Sequence, residues 1–273
     1  MRVIQNIAML KTLLAEDKQK NGLLGLVPTM GALHQGHLCL IKHAKQACQR
    51  VIVSIFVNQK QFDDANDFNN YPRCLEQDLD LLKAQNIDYV FAPSDEEMWP
   101  AGNQTYVEVE FLSKILLGEL RPNHFRGVAS VVAKLLNLCQ PDKAFFGEKD
   151  FQQLAIIRQM VKDLAFPVEI VGVPTLREAD GVAASSRNQL LTAQQRKAAP
   201  VIGKALDAAQ RAYHAGERQV SALYQCVEEV LKRETLAQIE SIEIRDLASL
   251  EKLETDLDRP AVILIVVKFG SIR

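Results

Sequence analysis

Residues Val27 to Leu38 read VPTMGALHQGHL. Two histidines, His34 and His37, stand three positions apart, after an apolar run and at the opening of a helical pattern. Side chains with that spacing share one face of a helix, so both imidazoles can meet the same ligand. A helix start offers N–H groups without intrahelical partners and a partial positive charge, which suits phosphate. Each ring can donate a hydrogen bond to a phosphate oxygen, and a histidine can stabilise charge building on a pentacoordinate phosphorus. Gly31 lets the backbone approach a nucleotide closely. The stretch is neither a Walker loop nor a G-x-G-x-x-G fingerprint. On the residues alone, two other readings stay open: surface or capping histidines, and a metal site. Gln35 excludes H-E-x-x-H for the latter.

The elements that must hold these rings follow from periodicity. GLLGLV (22–27) reads as a buried strand, and GHLCLIKHAKQACQR (36–50) places apolar residues at helical spacing. Further strands are expected at 51–58, 88–92, 143–147 and 168–173, with helices at 74–86, 127–139 and 151–164. Strand–helix alternation implies an α/β fold: a parallel sheet with right-handed crossovers and helices on both faces. After Pro174 the pattern changes. A polar loop leads to helical stretches at about 192–214 and 218–234. Apolar β-type segments follow near 239–245 and 260–269, separated by RDLASLEKLE, read as a short helix. The expected organisation is a larger domain over 1–174 and a smaller α+β domain over 175–273.

The 273 residues are 48% hydrophobic, enough for a sizeable core. The net charge of −2 gives no electrostatic case for a nucleic-acid surface. Five cysteines, an odd number without a C-x-x-C pair, read as reduced thiols rather than a disulfide framework or zinc knuckle. The N-terminal stretch, broken by Gln5, Asn6, Lys11 and Glu16, lacks a signal-peptide core. The longest strongly apolar run, AVILIVV, is far too short to span a membrane. A cytoplasmic protein is expected, with no membrane partner.

The string PTMGALHQGHLCLI resembles the signature of the pantothenate synthetase family, whose H-x-G-H belongs to the adenylyl-transferring superfamily. The resemblance continues through FVNQKQF, YPRCLEQDL, RPNHFRGVASVVAKLLN, QPDKAFFGEKDFQQLAIIRQMV, VGVPTLREADG and SSRNQLL, in order, along most of the chain. It implies a Rossmann-like first domain, with the smaller domain closing over the ATP site. It also implies a two-step reaction. The carboxylate of pantoate attacks the α-phosphorus of ATP, giving pantoyl adenylate and pyrophosphate; the amine of β-alanine then displaces AMP to give pantothenate. ATP is a substrate, Mg²⁺ accompanies it on phosphate oxygens and water, and a homodimer is expected.

Carried over residue by residue, the resemblance makes His37 the principal catalytic histidine, with His34, Lys149 and Arg187 beside it. ATP contacts fall to Met30, Gly31, Ala32, Leu33, His34, Gln35, Gly36 and His37. Gly147, Glu148, Lys149 and Asp150 join them, as do Leu176, Ala184, Ser185, Ser186 and Arg187. By composition alone, Lys149 reads as solvated, SSRN as a polar turn, and Asp150 as the N-cap of the next helix. Gln61 and Gln153 match glutamines that hold pantoate, and Gln61 also serves β-alanine; an amide can donate and accept. Asn58, Tyr71, Arg121 and His124 match positions near the pocket. Asp78 is the best-matched carboxylate for a metal, yet reads as an acid on an exposed helix face, so no protein metal ligand is assigned. The chain departs from the family at Gln59, usually proline, and at Ala184, usually methionine. A nucleotidyltransferase, a tRNA synthetase and a nucleotide-binding regulator are the rivals; the strings GEKDFQQL and READG, chain size and charge, and the retained Lys149 and Arg187 weigh against them respectively.

Overall fold

The computed structural model describes residues 1–18 and 22–273, so Gln19 to Asn21 of the N-terminal stretch lie outside the described residues. The chain forms two compact units, Met1–Thr175 and Leu176–Arg273.

In the first unit, strands β1 (Arg2–Ile4), β2 (Leu24–Thr29), β3 (Arg50–Ile55), β4 (Tyr89–Phe91), β5 (Lys143–Gly147) and β6 (Glu169–Val173) form one sheet. Their order is β1-β4-β3-β2-β5-β6, and every pairing is parallel. The helices are α1 (Ile7–Lys18), α2 (Gln35–Ala47), α3 (Ala65–Asn69), α4 (Leu75–Ala84), α5 (Asp95–Met98), α6 (Leu117–Leu120), α7 (His124–Cys139) and α8 (Phe151–Asp163). Side chains alternate across a strand, so each strand feeds two cores. Val27, Val51, Val53, Val90 and Phe145 pack with Ile41 and Ala44 of α2 and Leu82 of α4. Leu26, Ile52 and Ala144, of the opposite parity, are fully buried on the other face. That face is covered by α7, which packs on β2, α1 and α8. Parallel sheets need both faces covered, and the near-continuous apolar strands record it.

The strand and helix positions read from periodicity are present, with ends that coincide or shift by at most three residues. The elements at Arg2–Ile4, Ile7–Lys18 and the short helices α3, α5 and α6 have no periodic signature strong enough to announce them.

The second unit contains α9 (Ala193–Ala198), α10 (Val201–His214), α11 (Val220–Lys232) and the antiparallel pair β7 (Gln238–Asp246) and β8 (Ala261–Lys268). Ala205, Ala209, Leu223, Val227 and Leu231 pack against Ile242, Ile244 and Val267 to make its core. The expected single helix over 192–214 is two helices, because Pro200 lacks an N–H and stands at the start of the second. The expected short helix in RDLASLEKLE is instead a turn. Asp246 Oδ1 accepts from the backbone N–H of Ala248 (2.9 Å) and Ser249 (2.7 Å), and Leu250 adopts φ +58. A side-chain carboxylate competing for local N–H groups favours a turn over a helix.

Within the first unit, α7 and the chain after β3 approach each other closely. A Cβ on Gly127 of α7 would lie 2.2 Å from the carbonyl oxygen of Lys60 and 2.6 Å from the nitrogen of Gln61. The 3₁₀ turn Gln59–Gln61 therefore rests directly on a helix backbone. Gly127→Ala should lower unfolding free energy by about 1–3 kcal/mol, as overpacking does. Gly147→Ala, whose added carbon would meet nothing within 4 Å, should stay within about 0.5 kcal/mol of the parent. Urea denaturation of both variants checks this; equal midpoints would contradict it.

Candidate functional site

β2 and β5 are neighbours, yet the chain leaves β2 towards β3 and leaves β5 towards β6 on the other side. Ligands of open α/β sheets bind beyond the strand ends at such a reversal. The loops that open there are Met30–His34, which ends at one histidine and leads to His37 in the first turn of α2, and Gly147–Asp150, which carries the lysine.

The first loop is held from below. The Thr29 hydroxyl donates to the Ser54 carbonyl (2.8 Å) and accepts from the Gly31 N–H (3.2 Å). Gly31 (φ +79) and Ala32 (φ +50) are consecutive left-handed residues, a geometry that gathers successive N–H groups around an anion. The anion is protein: Asp78 of α4 accepts from Ala32 N (2.9 Å) through Oδ2 and from Leu33 N (2.7 Å) through Oδ1. Asp78 is 2% exposed, which corrects its reading as an acid on an exposed helix face. Burial pushes its carboxyl pKa up, while the two N–H bonds pull it down. A Cβ on Gly31 would come 2.9 Å from Asp78 Oδ2, so glycine is required on both steric and conformational grounds.

The histidines come directly after this loop. His34 is the N-cap of α2, and its Nδ1 accepts from the Gly36 N–H (3.1 Å). His37 reaches back, and its Nδ1 accepts from the His34 N–H (3.3 Å). This is a capping box built from two imidazoles. The ring centroids lie 4.1 Å apart. A backbone N–H can only donate, so both Nδ1 atoms must be unprotonated acceptors. In the neutral ring the proton then sits on Nε2, which leaves each histidine an Nε2–H donor. The expectation of unpaired N–H groups at this helix start is thereby corrected in part, since those of His34 and Gly36 are taken by the rings. Burial, then His34, then Lys149, lower the His37 pKa to about 3, with Asp150 opposing. His37 is uncharged at neutral pH.

The second loop forms a 3₁₀ turn over Glu148–Asp150, entered through Gly147. Lys149 Nζ lies 3.4 Å from Asp150 Oδ1 and is partly exposed. Asp150 holds the N-cap position of α8, but its side chain makes no capping hydrogen bond. The charge of Lys149 lowers the His37 pKa and that of Asp150 raises it.

The glutamines separate clearly. Gln61 is buried; its side-chain Oε1 accepts from Asn58 Nδ2 (3.1 Å), and its carbonyl accepts from Arg121 (3.2 Å) and from His124 Nδ1 (2.8 Å). Arg121 also pairs with Asp63 (3.4 Å) and is not a free surface charge. Tyr71 is buried, with its ring 5.6 Å from that of Phe62. Gln153 of α8 is half-buried and its amide makes no hydrogen bond among the described residues, so it remains available. Its neighbour Gln152 is consumed by structure: Nε2 donates to the carbonyls of Leu112 (2.9 Å) and Ile115 (2.7 Å), and Oε1 accepts from Leu117 N (3.1 Å). Asp78 and Gln152 do structural work that composition does not signal, because a buried acid and an exposed one look alike in sequence.

In the second unit, Leu176 is exposed and its carbonyl accepts from the N–H of Ala184 (2.9 Å). Ser185 Oγ accepts from Arg187 N (3.3 Å) and caps the 3₁₀ turn Ser186–Leu190, in which Ser186 is buried. Among the described residues, no group of three His, Cys, Asp or Glu is arranged to hold a metal ion, and no helix is long and apolar enough to cross a membrane.

His124 is lowered to about 4, chiefly by burial and then by Arg121. Both His37 and His124 fall below their ordinary 6.5. Below that pH the unfolded chain binds protons that the folded chain refuses, so stability drops as pH falls from about 6.5 towards 4. Each histidine contributes up to about 1.4 kcal/mol of loss per pH unit. His124→Gln, which keeps a donor for the Gln61 carbonyl, should flatten this acid loss in denaturation series between pH 7 and 4; an unchanged slope would contradict the assignment.

Comparison with known proteins sets this geometry in a family. The model of the family described as pantoate-beta-alanine ligase matches residues 2–273. The pantothenate synthetase of Bartonella tribocorum is 57% identical over all of this chain and 96% of its own length. That of Pelotomaculum thermopropionicum is 46% identical over 100% and 96%. The crystal structure of pantothenate synthetase from Thermus thermophilus superposes with a TM-score of 0.94 at 42% identity, covering 99% of this chain and 96% of that one. The ligase from Francisella tularensis, solved in complex with beta-gamma ATP and beta-alanine, gives 0.77 at 33%, over 98% and 97%. A family match along the whole chain, on a sheet whose switch point carries the paired imidazoles, identifies this chain as a member of the pantoate-beta-alanine ligase family.

Proposed function

We propose that the chain joins pantoate to β-alanine through a pantoyl adenylate, with ATP cleaved to AMP and pyrophosphate. The observation that carries this reading is the reciprocal cap of α2, which fixes both imidazoles at the switch point with their Nδ1 atoms as acceptors. The ATP and β-alanine bound in the Francisella relative support the substrates.

A pantoate carboxylate is already ionised at neutral pH, so its attack on the α-phosphorus needs no general base. As the new P–O bond forms, the bond to pyrophosphate breaks and charge moves onto phosphate oxygens. His34 and His37 meet that charge with hydrogen bonds, and Lys149 with a full positive charge. In this role His37 acts as a donor and transfers no proton. The backbone from Met30 through Leu33, with Gln35 and Gly36, lies along the nucleotide. Gly147, Glu148 and Asp150 line the neighbouring loop, and the open space at Gly147 favours a close approach. On the sequence resemblance, Leu176, Ala184, Ser185, Ser186 and Arg187 are further ATP contacts, and the guanidinium suits departing pyrophosphate.

Gln153 and Gln61 hold pantoate, and Gln61 also meets β-alanine. In the second step the amine of β-alanine, once its ammonium has lost a proton to solvent, attacks the acyl carbon; the acyl–phosphate oxygen bond breaks, AMP leaves, and the amide nitrogen gives its extra proton to solvent. Mg²⁺ enters as the counter-ion of ATP on phosphate oxygens and water. Asp78 is committed to Ala32 and Leu33, which favours that arrangement. A cytoplasmic homodimer completes the reading, on the sequence resemblance.

Pantoate-dependent exchange of labelled pyrophosphate into ATP, measured without β-alanine, isolates the first step. The parent should exchange only when pantoate is present, and His37→Ala should lose roughly 100- to 1,000-fold. Gln153→Ala should raise the KM for pantoate more than that for ATP. Exchange independent of pantoate, or near-parent exchange by His37→Ala, would overturn the proposal.

A further inference from the structure

Gln61 does not set its own orientation. Asn58, 1% exposed, uses its Nδ2 for two acceptors, Gln61 Oε1 (3.1 Å) and the Gly127 carbonyl (3.1 Å). Its Oδ1 accepts from the indole Nε1 of Trp99 (3.0 Å). An amide could in principle sit either way round, but an indole N–H can only donate. The indole N–H on one side and the Gly127 carbonyl, which can only accept, on the other fix the Asn58 oxygen towards Trp99 and the Asn58 nitrogen towards Gln61. That in turn fixes Gln61 with its oxygen towards Asn58, leaving the Nε2 donors facing away.

Trp99 is itself held. Lys60 Nζ lies 4.1 Å from its ring centroid and Lys134 Nζ 5.3 Å, and Lys134 donates to the carbonyl of Met98, the residue before Trp99. At the other end of the relay, α7 backs the turn at Lys60 and Gln61, where Gly127 leaves no room for even a methyl group.

We propose that Trp99 is a positioning residue for the acid substrate: through Asn58, its N–H, acting with the Gly127 carbonyl, makes the outward face of Gln61 a hydrogen-bond donor. A donor face attracts the carboxylate or hydroxyl oxygen of pantoate, whereas the flipped amide would turn an oxygen towards an anion. This rests on the reading that Gln61 holds pantoate. It adds the source of the amide's polarity, and it assigns a role to the only tryptophan in the chain.

Trp99→Phe keeps an aromatic ring beside Lys60 and removes the N–H. The KM for pantoate should rise about tenfold, the scale of one misdirected hydrogen bond to a charged group, while the KM for ATP and kcat at saturating pantoate stay within about twofold. Adding Trp99→Phe to Gln61→Ala should raise the pantoate KM no further, because both act through one amide. A raised pantoate KM in Gln61→Ala with none in Trp99→Phe overturns the relay and leaves the Gln61 reading intact. No rise in either variant removes the Gln61 reading itself. A parallel rise for pantoate and ATP in Trp99→Phe makes Trp99 merely structural and overturns the relay as well. Should Trp99→Phe not fold, replacing the single tryptophan by β-(3-benzothienyl)alanine exchanges N–H for sulfur within almost the same ring shape. The same pantoate-selective rise is expected, and its absence overturns the relay.

Discussion

Two backbone N–H groups at the start of α2, those of His34 and Gly36, each end on an imidazole nitrogen. A helix cap of this kind is worth about 1 kcal/mol. Here it does more than stabilise a helix end, because it dictates where each ring keeps its proton. A proton on either Nδ1 would face an N–H, and would replace a hydrogen bond by a clash of donors costing roughly 1–3 kcal/mol. Each ring is thus held with its Nδ1 as an acceptor, and the two ring planes stand 43° apart. The depressed His37 pKa reflects the same environment through burial and neighbouring positive charge. Local folding chemistry and site chemistry are here one set of bonds.

That cap can form only if the chain arrives at His34 in the right place. Thr29 ties the end of β2 to β3, and Asp78 binds the backbone of Ala32 and Leu33 from α4. The carboxylate best matched by sequence to a metal instead accepts from two successive backbone N–H groups. The topology supplies the rest. The chain turns in opposite directions after β2 and β5, and the charges of Lys149 and Asp150, after β5, act on His37, after β2. The proposed adenylation needs donors at the phosphate rather than a base at the carboxylate, the part proposed for the two imidazoles.

Much of this is legible in the residues. Long apolar strands such as VIVSIFV and helices with clean spacing, such as Phe151–Asp163, announce themselves by period. The histidine pair announces itself by spacing and by the glycines before it. What stays hidden depends on partners distant in sequence. Asp78 and Gln152 read as ordinary polar helix residues until the fold buries them against loops roughly 35 to 46 positions away. The turn at Asp246–Leu250 escapes because its apolar spacing imitates a helix, while the decision lies with one side chain capturing two N–H groups. Trp99 gives no periodic signal at all; its contribution is a single N–H aimed at Asn58.

The central claim concerns two protons, and ¹⁵N NMR of histidine-labelled protein reads them directly. At neutral pH, His34 and His37 should each show an unprotonated Nδ1 and a protonated Nε2, and His37 should hold that form as pH is lowered to about 4. A cationic His37 at pH 6, or protons resident on Nδ1, would contradict the account.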